Sequence, residues 1–234
     1  LIKLIDAKDN LSVQVHPDNE YAQRVEGEYG KTEMWYVVDC DEGAEILYGL
    51  RHSITREEFS ERIRNNTLTE VTNNITVHKG DVFYIGAGTL HAIGAGVLMA
   101  EIQQNSDTTY RVYDYGRVGA DGKPRELHTQ KACDVTKLCV PEYPVGPAGK
   151  KRDMGGYDIT LLTSCACFTV SKLDVRTSAV LNAGSASFDS VIVLDGDLTV
   201  GDVRLGKGGS LFVPAGYGEY TLAGSGEAIL TNIV

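Results

Sequence analysis

The segment KGDVFYIGAGTLH, residues 79 to 91, returns 128 positions later as KGGSLFVPAGYGE, starting at Lys207. The lysine, a glycine, the alanine and the glycine of the following turn coincide. Upstream, EMWYVVDCD from Glu33 resembles DSVIVLDGD from Asp189. A repeat at this spacing restricts the chain to two copies of one β unit. The copies differ in one respect. His91 of the first is answered by Glu219 in the second, and no histidine follows His128.

Period-two patterning supports the β reading. In LSVQVHP, the apolar Leu11, Val13 and Val15 alternate with Ser12, Gln14 and His16, giving a strand with one apolar and one polar face. In KTEMWYVV, the residues Lys31, Glu33 and Trp35 share a face. A helix interrupts the strands where Thr55 precedes REEFSERI, with Glu58 at the capping-box position and Phe59 and Ile63 at helical spacing. The stretch from Asp18 to Val25 reads as a shorter helix. With 42% hydrophobic residues among 234, the chain can bury one large core or two small ones. The expected organisation is a first β domain over 1–140 with a helical insertion near 55–66, a Pro- and Gly-rich linker over 141–157, and a second β domain over 158–234.

Several classes of function are disfavoured. A net charge of −10 repels nucleic acid and anionic membrane, so any site for an anion must be locally basic. No apolar run approaches the roughly 18 residues of a membrane span. The five cysteines, Cys40, Cys133, Cys139, Cys165 and Cys167, are odd in number and contain no CxxC pair. With no signal peptide in view, they read as the reduced thiols of a cytoplasmic protein, and the N-x-T matches at Asn65 and Asn74 as chance. The chain opens on Leu1 within the apolar run LIKLI, without methionine or cap, so upstream sequence is expected.

The polar faces of the first copy can converge. A hairpin with Gly94 to Gly96 as its loop places His91 opposite Met99 and Thr89 opposite Glu101. Gln14 and His16 share a face, and Glu33 adds a carboxylate from a third strand. Two imidazoles, a carboxylate and an amide oxygen suit Zn²⁺ or a similar divalent ion with a position left for water or substrate. Blander readings stand beside this one. A strand histidine is usually hydrogen-bonded or half-exposed, Lys31 and Arg111 read equally as solvated edge charges, and Asp107 with Arg111 as a surface ion pair. His52, His78 and His128 have no partners at ligand spacing, and Cys165 and Cys167 alternate as packed strand residues.

The motifs GDVFYIGAGTLHAI, LSVQVHPDNEYA, GKTEMWYVVD and AGTLHAIGAGVLMAEIQQNSDTTYRVYDYGR together resemble type I phosphomannose isomerase, in its short bacterial form, within the cupin superfamily. The likeness runs through nearly the whole chain. It implies a mainly β fold of two cupin-type jelly-roll units, that is, double-stranded β-helices. In that family one zinc per chain is held by glutamine, two histidines and glutamate, which fall on Gln14, His16, Glu33 and His91. The family's active-site arginine falls on Arg111, its lysine on Lys31, its acidic positions on Glu101 and Asp107, and its serine on Ser12. The family also has some tens of residues ahead of the segment matched by LIKLIDAKDN.

The implied reaction interconverts mannose 6-phosphate and fructose 6-phosphate by moving a proton between adjacent carbons through an enediolate, whose charge a metal stabilises. Arg111 stays protonated, so it would hold a hydroxyl or steady negative charge. Lys31, Ser12 and Arg117 are candidates for the phosphate, and Asp107 for another substrate contact. Glu101, Lys31, His91 and a bound water remain open as proton carriers. Two other classes share the ligand pattern: a cupin oxygenase, which favours iron, and a non-catalytic cupin that binds sugar phosphate. The second copy, lacking histidine, reads as metal-free.

Overall fold

The computed structural model describes residues 1–119 and 122–233, and the chain divides into two compact units, Leu1–Val145 and Gly146–Val234. Among the described residues the first holds nine strands: β1 Ile2–Ala7, β2 Val13–Val15, β3 Glu33–Cys40, β4 Glu45–Leu50, β5 Thr72–Thr76, β6 Val82–Ile85, β7 His91–Ile93, β8 Val97–Gln103 and β9 Tyr110–Tyr113. They form two antiparallel sheets, ordered β1-β8-β3-β6 and β5-β4-β7-β2-β9. Trp35, Val37, Phe83, Ile85, Val97 and Met99 from one sheet pack with Ile46, Tyr48 and Ile93 from the other. This is the sandwich expected of a cupin barrel, and its interior is where the polar faces meet.

The five-stranded sheet is covered on its other face too. Val13, Val15, Leu47, Leu90, Ala92 and Val112 point away from the sandwich interior and pack with Phe59 and Ile63 of α2 (Arg56–Arg64) and Ala132 and Cys133 of α3 (Thr129–Val135). Both expected helices form. Asp18 caps α1 (Asn19–Val25), accepting from the Tyr21 amide at 2.8 Å. Thr55 caps α2 through the Glu58 amide at 3.1 Å. The reciprocal half of the capping box is replaced: the Glu58 carboxylate accepts from Arg62 Nε at 2.8 Å. Helix α3 was not anticipated, since TQKACDV has no side-chain cap and only two buried residues to signal a face.

One connection departs from the sequence expectation. β7 pairs with β2 and β4, whereas β8 pairs with β1 and β3, so the glycines between them carry the chain from one sheet to the other and do not close a hairpin. His91 is therefore not opposite Met99, nor Thr89 opposite Glu101. The crossing is tight: a Cβ on Gly94 would stand 2.0 Å from the Glu45 carbonyl oxygen, and Gly96 has φ +78°. Apolar alternation on both sides of the turn fits a sandwich corner as well as a hairpin, and only the long-range pairing separates them.

The stretch read as a linker is packed. Pro141 lies against Gly49, and the Tyr143 ring meets Tyr84 edge-on at 4.6 Å. Ala148 and Gly149 donate to the carbonyls of Leu162 and Leu161 at 3.0 and 2.9 Å.

The second unit holds β10 Arg152–Asp153, β11 Tyr157–Ser164, β12 Thr169–Val175, β13 Ser178–Ala183, β14 Asp189–Val200, β15 Val203–Leu205, β16 Ser210–Val213 and β17 Gly218–Asn232. The long β17 pairs with β12, β13 and β14 in turn. Its core is aliphatic, built from Leu173, Val191, Val193, Leu198, Leu222 and Ala228. Cys165 and Cys167 lie in the turn between β11 and β12, half-buried, and not in a strand.

Candidate metal centre

Strand register assembles one side of the site. Gln14 of β2 pairs with His91 of β7 on one flank and with Arg111 of β9 on the other, and His91 pairs in turn with Tyr48 of β4. Residues in register across neighbouring strands project from the same face, so His91, Gln14 and Arg111 form a row, and His16 follows directly after the end of β2, two residues on from Gln14. The opposite sheet supplies the other side. There Glu33 of β3 pairs with Gln103 of β8, and Trp35 pairs with Glu101, which in turn pairs with Lys3 of β1.

Across the gap the donors meet. His91 Nε2 lies 3.3 Å from Glu33 Oε1 and His16 Nε2 lies 3.6 Å from Glu33 Oε2. The two imidazole centroids are 4.7 Å apart, and the ligand atoms of the three residues fall within 4.8 Å of one another. All three side chains are buried. The carbonyls of Thr108 and Thr89 take the other ring nitrogens, His16 Nδ1 at 3.0 Å and His91 Nδ1 at 2.9 Å. Carbonyls only accept, so each Nδ1 carries the proton and each Nε2 turns a lone pair inward. Trp35 meets the His91 ring edge-on at 5.2 Å and fixes its tilt.

Electrostatics set the same protonation. Burial takes the His91 imidazole down to about 4, against the pull of the Thr89 carbonyl. Burial, then the neighbouring His91 and the Lys31 charge, hold His16 well below its ordinary value. Both rings are therefore neutral at physiological pH, the form a metal requires. Burial, with the charge of Glu101, lifts the Glu33 carboxyl to about 7, opposed by Lys31. Lys31 is itself buried, with Nζ 3.3 Å from Glu33 Oε2 but without the alignment of a hydrogen bond.

Both Nε2 atoms and both Glu33 oxygens are thus buried with no hydrogen-bond partner among the described residues. A native interior rarely leaves four such atoms facing one another, because each loses its hydration, and only Glu33 Oε2, beside the Lys31 charge, is compensated. Two neutral imidazole nitrogens and a carboxylate fit a divalent ion, and the half-buried Gln14 stands next to His91 with an amide oxygen to add.

The remaining candidates fall into two groups. Glu101 is buried and anchored, its Oε2 accepting from Trp35 Nε1 at 3.1 Å and its Oε1 from Lys3 Nζ at 3.0 Å. Arg111 Nε donates to Ser12 Oγ at 3.3 Å, which brings those two expected residues together, and its Nη1 donates to the Glu126 carbonyl at 3.2 Å. Asp107 is exposed, and among the described residues no ion pair joins it to Arg111. It lines instead a cleft of about 460 Å³ with Glu26, Thr108, His128 and Lys131. Arg117 donates to Asp114 and to the Asn10 carbonyl. Sequence reasoning missed Lys3, Asp114 and the two threonine carbonyls. A main-chain carbonyl leaves no mark in the sequence, and Lys3 is assigned only by the pairing of β1 with β8.

The second unit has a counterpart of this centre with different chemistry. Asp189 occupies the place of Glu33 in the repeat. Its Oδ2 accepts from the Tyr220 hydroxyl at 2.8 Å and its Oδ1 from Asn232 Nδ2 at 3.4 Å. A hydrogen-bonded trio stands there, and the carboxylate is not orphaned.

A family model for the cupin domain of mannose-6-phosphate isomerase matches residues 158–233. Mannose-6-phosphate isomerase ManA of Bacillus subtilis is 42% identical over 237 residues, which cover 100% of this chain and 74% of that protein. The mannose-6-phosphate isomerase of Streptococcus mutans is 40% identical, covering 99% of this chain and 73% of its own. The crystal structure of mannose 6-phosphate isomerase from Bacillus subtilis matches with a TM-score of 0.91 at 36% identity, over 100% of this chain and 74% of that one.

Proposed function

The chain belongs to the type I mannose-6-phosphate isomerase family, and from that premise we infer that it interconverts mannose 6-phosphate and fructose 6-phosphate with one zinc ion held by Gln14, His16, Glu33 and His91. The observation that carries the metal reading is the set of four buried donor atoms on His16, Glu33 and His91 that have no hydrogen-bond partner among the described residues. A divalent ion held there supplies a Lewis acid toward the carbonyl end of the open-chain sugar.

The protein's own groups do the rest. Arg111, in register beside Gln14, keeps its guanidinium protonated and steadies the negative charge that develops as the aldose becomes an enediolate. Ser12, hydrogen-bonded to Arg111, orients the guanidinium and offers a hydroxyl to the substrate. Lys31 holds Glu33 by its charge and adds positive potential to a chain of net charge −10. The proton moves by way of Lys31 or Glu101, the buried ionisable side chains whose charges act on Glu33. Asp107, exposed on its cleft, reaches the substrate only at the rim. Arg117 takes part of the phosphate charge.

The test is a coupled assay of the purified chain with mannose 6-phosphate, with and without chelator, alongside elemental analysis. Turnover that chelator abolishes and zinc restores is expected. A chain loaded with iron and inactive on the sugar phosphate would overturn this reading.

A further inference from the structure

We propose that Arg125 is a further substrate-binding residue, a second guanidinium for the phosphate group, and that Asp114 is the positioning residue that sets it beside Arg117. This rests on the sugar-phosphate reading above and extends it to residues which neither the motifs nor the metal centre singled out.

Asp114 follows β9 directly and is buried at 6% exposure. Arg125 grips it with both edges of a fork, Nε to Oδ2 at 2.6 Å and Nη2 to Oδ1 at 2.5 Å. Arg117 comes to the same carboxylate, with Nε 3.1 Å and Nη2 2.5 Å from Oδ1, while its Nη1 donates to the Asn10 carbonyl at 2.7 Å. One carboxylate cancels one of these charges, so the pair keeps a surplus positive charge. A third cation adds to it. Arg111 is lowered from its ordinary value first by burial and then by the charge of Arg125, with Asp114 opposing and Arg117 adding, so it stands within electrostatic reach of the cluster.

A cluster serving only to close the loop needs no more than one arginine per carboxylate. Here two are gathered on one buried aspartate, and their side chains stay 36% and 44% exposed. Among the described residues Arg125 spends two N–H groups on Asp114, and a guanidinium carries five. Planar forks with donors to spare are the chemistry of phosphate recognition. The placement suits this substrate. Arg111 stands two strand spacings, about 10 Å, from His91 in the row across the sheet, and the cluster lies beyond it at the end of the same strand. A sugar whose carbonyl end is at the metal donors then extends its charged end toward Arg117 and Arg125.

The experiment compares Arg125→Gln, Arg125→Lys and Asp114→Asn with the parent. It reads kcat and KM for mannose 6-phosphate, competitive inhibition by inorganic phosphate, and Tm. Arg125→Gln should raise KM and the phosphate inhibition constant together, by about ten-fold or more for loss of a charge-assisted contact, with kcat changed less. Lysine at 125 should recover part of the loss, and Asp114→Asn should reproduce it with the arginines intact. A glutamine variant with parental KM and inhibition constant would overturn the proposal, as would one whose only change is a lower Tm. Calorimetric titration with inorganic phosphate keeps the two readings apart. Phosphate binding that Arg125→Gln weakens in a chain inactive on mannose 6-phosphate would sink the isomerase reading and support the subsite. Turnover of mannose 6-phosphate by a parent that phosphate neither inhibits nor binds would sink the subsite alone.

Discussion

Replacing Arg111 by lysine separates stability from chemistry at this site. Among the described residues the guanidinium makes two hydrogen bonds to neutral acceptors, Ser12 Oγ at 3.3 Å and the Glu126 carbonyl at 3.2 Å. Each contributes about 0.5–1.5 kcal/mol net, and an ammonium at the same place recovers one of them, so the fold should lose about 1 kcal/mol. The main chain here does not depend on the side chain. The Arg111 amide donates to His128 Nδ1 at 3.1 Å, its carbonyl accepts from the His128 amide at 2.8 Å, and its pairing with Gln14 persists. Catalysis is another matter. A donor aimed at charge that grows in the transition state is worth about 10² to 10³ in turnover, roughly 3 to 4 kcal/mol, and a point charge does not reproduce the planar fork. Arg111→Lys should therefore keep its bound metal by elemental analysis and lose only a few degrees in Tm, while kcat for mannose 6-phosphate falls at least a hundred-fold and KM changes less. Turnover within about three-fold of the parent, with metal confirmed present, would refute the role given to Arg111.

Four further outcomes test other parts of the structure. His91→Ala removes a nitrogen donor that no neighbour replaces, so bound metal should fall to background; parental stoichiometry would show that His91 is not a ligand. Phe59→Ala empties a fully buried position between α2 and the five-stranded sheet, and denaturant unfolding should register a loss of about 3–5 kcal/mol with metal content retained. Tyr220→Phe strips the Asp189 carboxylate of its buried hydroxyl donor, and unfolding should show a cost of about 1–3 kcal/mol with no change in bound metal; a loss of metal would instead mark the second unit as a metal site. For pH, burial works to raise Asp114, but the hydrogen bonds from Arg125 and Arg117 outweigh it and hold the carboxyl below its ordinary 3.8. A depressed carboxyl stabilises the fold fully above that value and loses its contribution as pH falls through the lower folded one, so Tm of the parent should drop more steeply below about pH 4 than that of Asp114→Asn. Coincident acid profiles would contradict this.

What the sequence disclosed and what it withheld divide along a physical line. Period-two alternation shows which residues share a face, and this suffices to put Gln14 with His16 and to find the strands of both copies. Local capping chemistry shows α1 and α2. Pairing between distant strands is not local, and so the turn at Gly94 to Gly96 reads as a hairpin although it crosses between sheets. The same limit hides Lys3, which meets Glu101 only because β1 lies beside β8. It also hides the meeting of Arg125 with Asp114, two residues that look like ordinary surface charges eleven positions apart in the sequence. The candidate donors His16, Glu33 and His91 were legible because they sit in motifs that resemble those of a known family, and alternation then puts polar groups on one face of their strands.

The Nδ1 atoms of His91 and His16, which face away from the candidate metal site, are held by the carbonyls of Thr89 and Thr108. Main-chain oxygens are common to all twenty amino acids, so the aim of both imidazoles survives replacement of either threonine side chain. An alanine scan would pass over both positions, and natural drift is free to vary them so long as the backbone path holds. What this arrangement cannot tolerate is an insertion or deletion ahead of His91 or around Thr108, because either one moves an oxygen away from its ring. Selection on this centre therefore falls on the lengths of its loops.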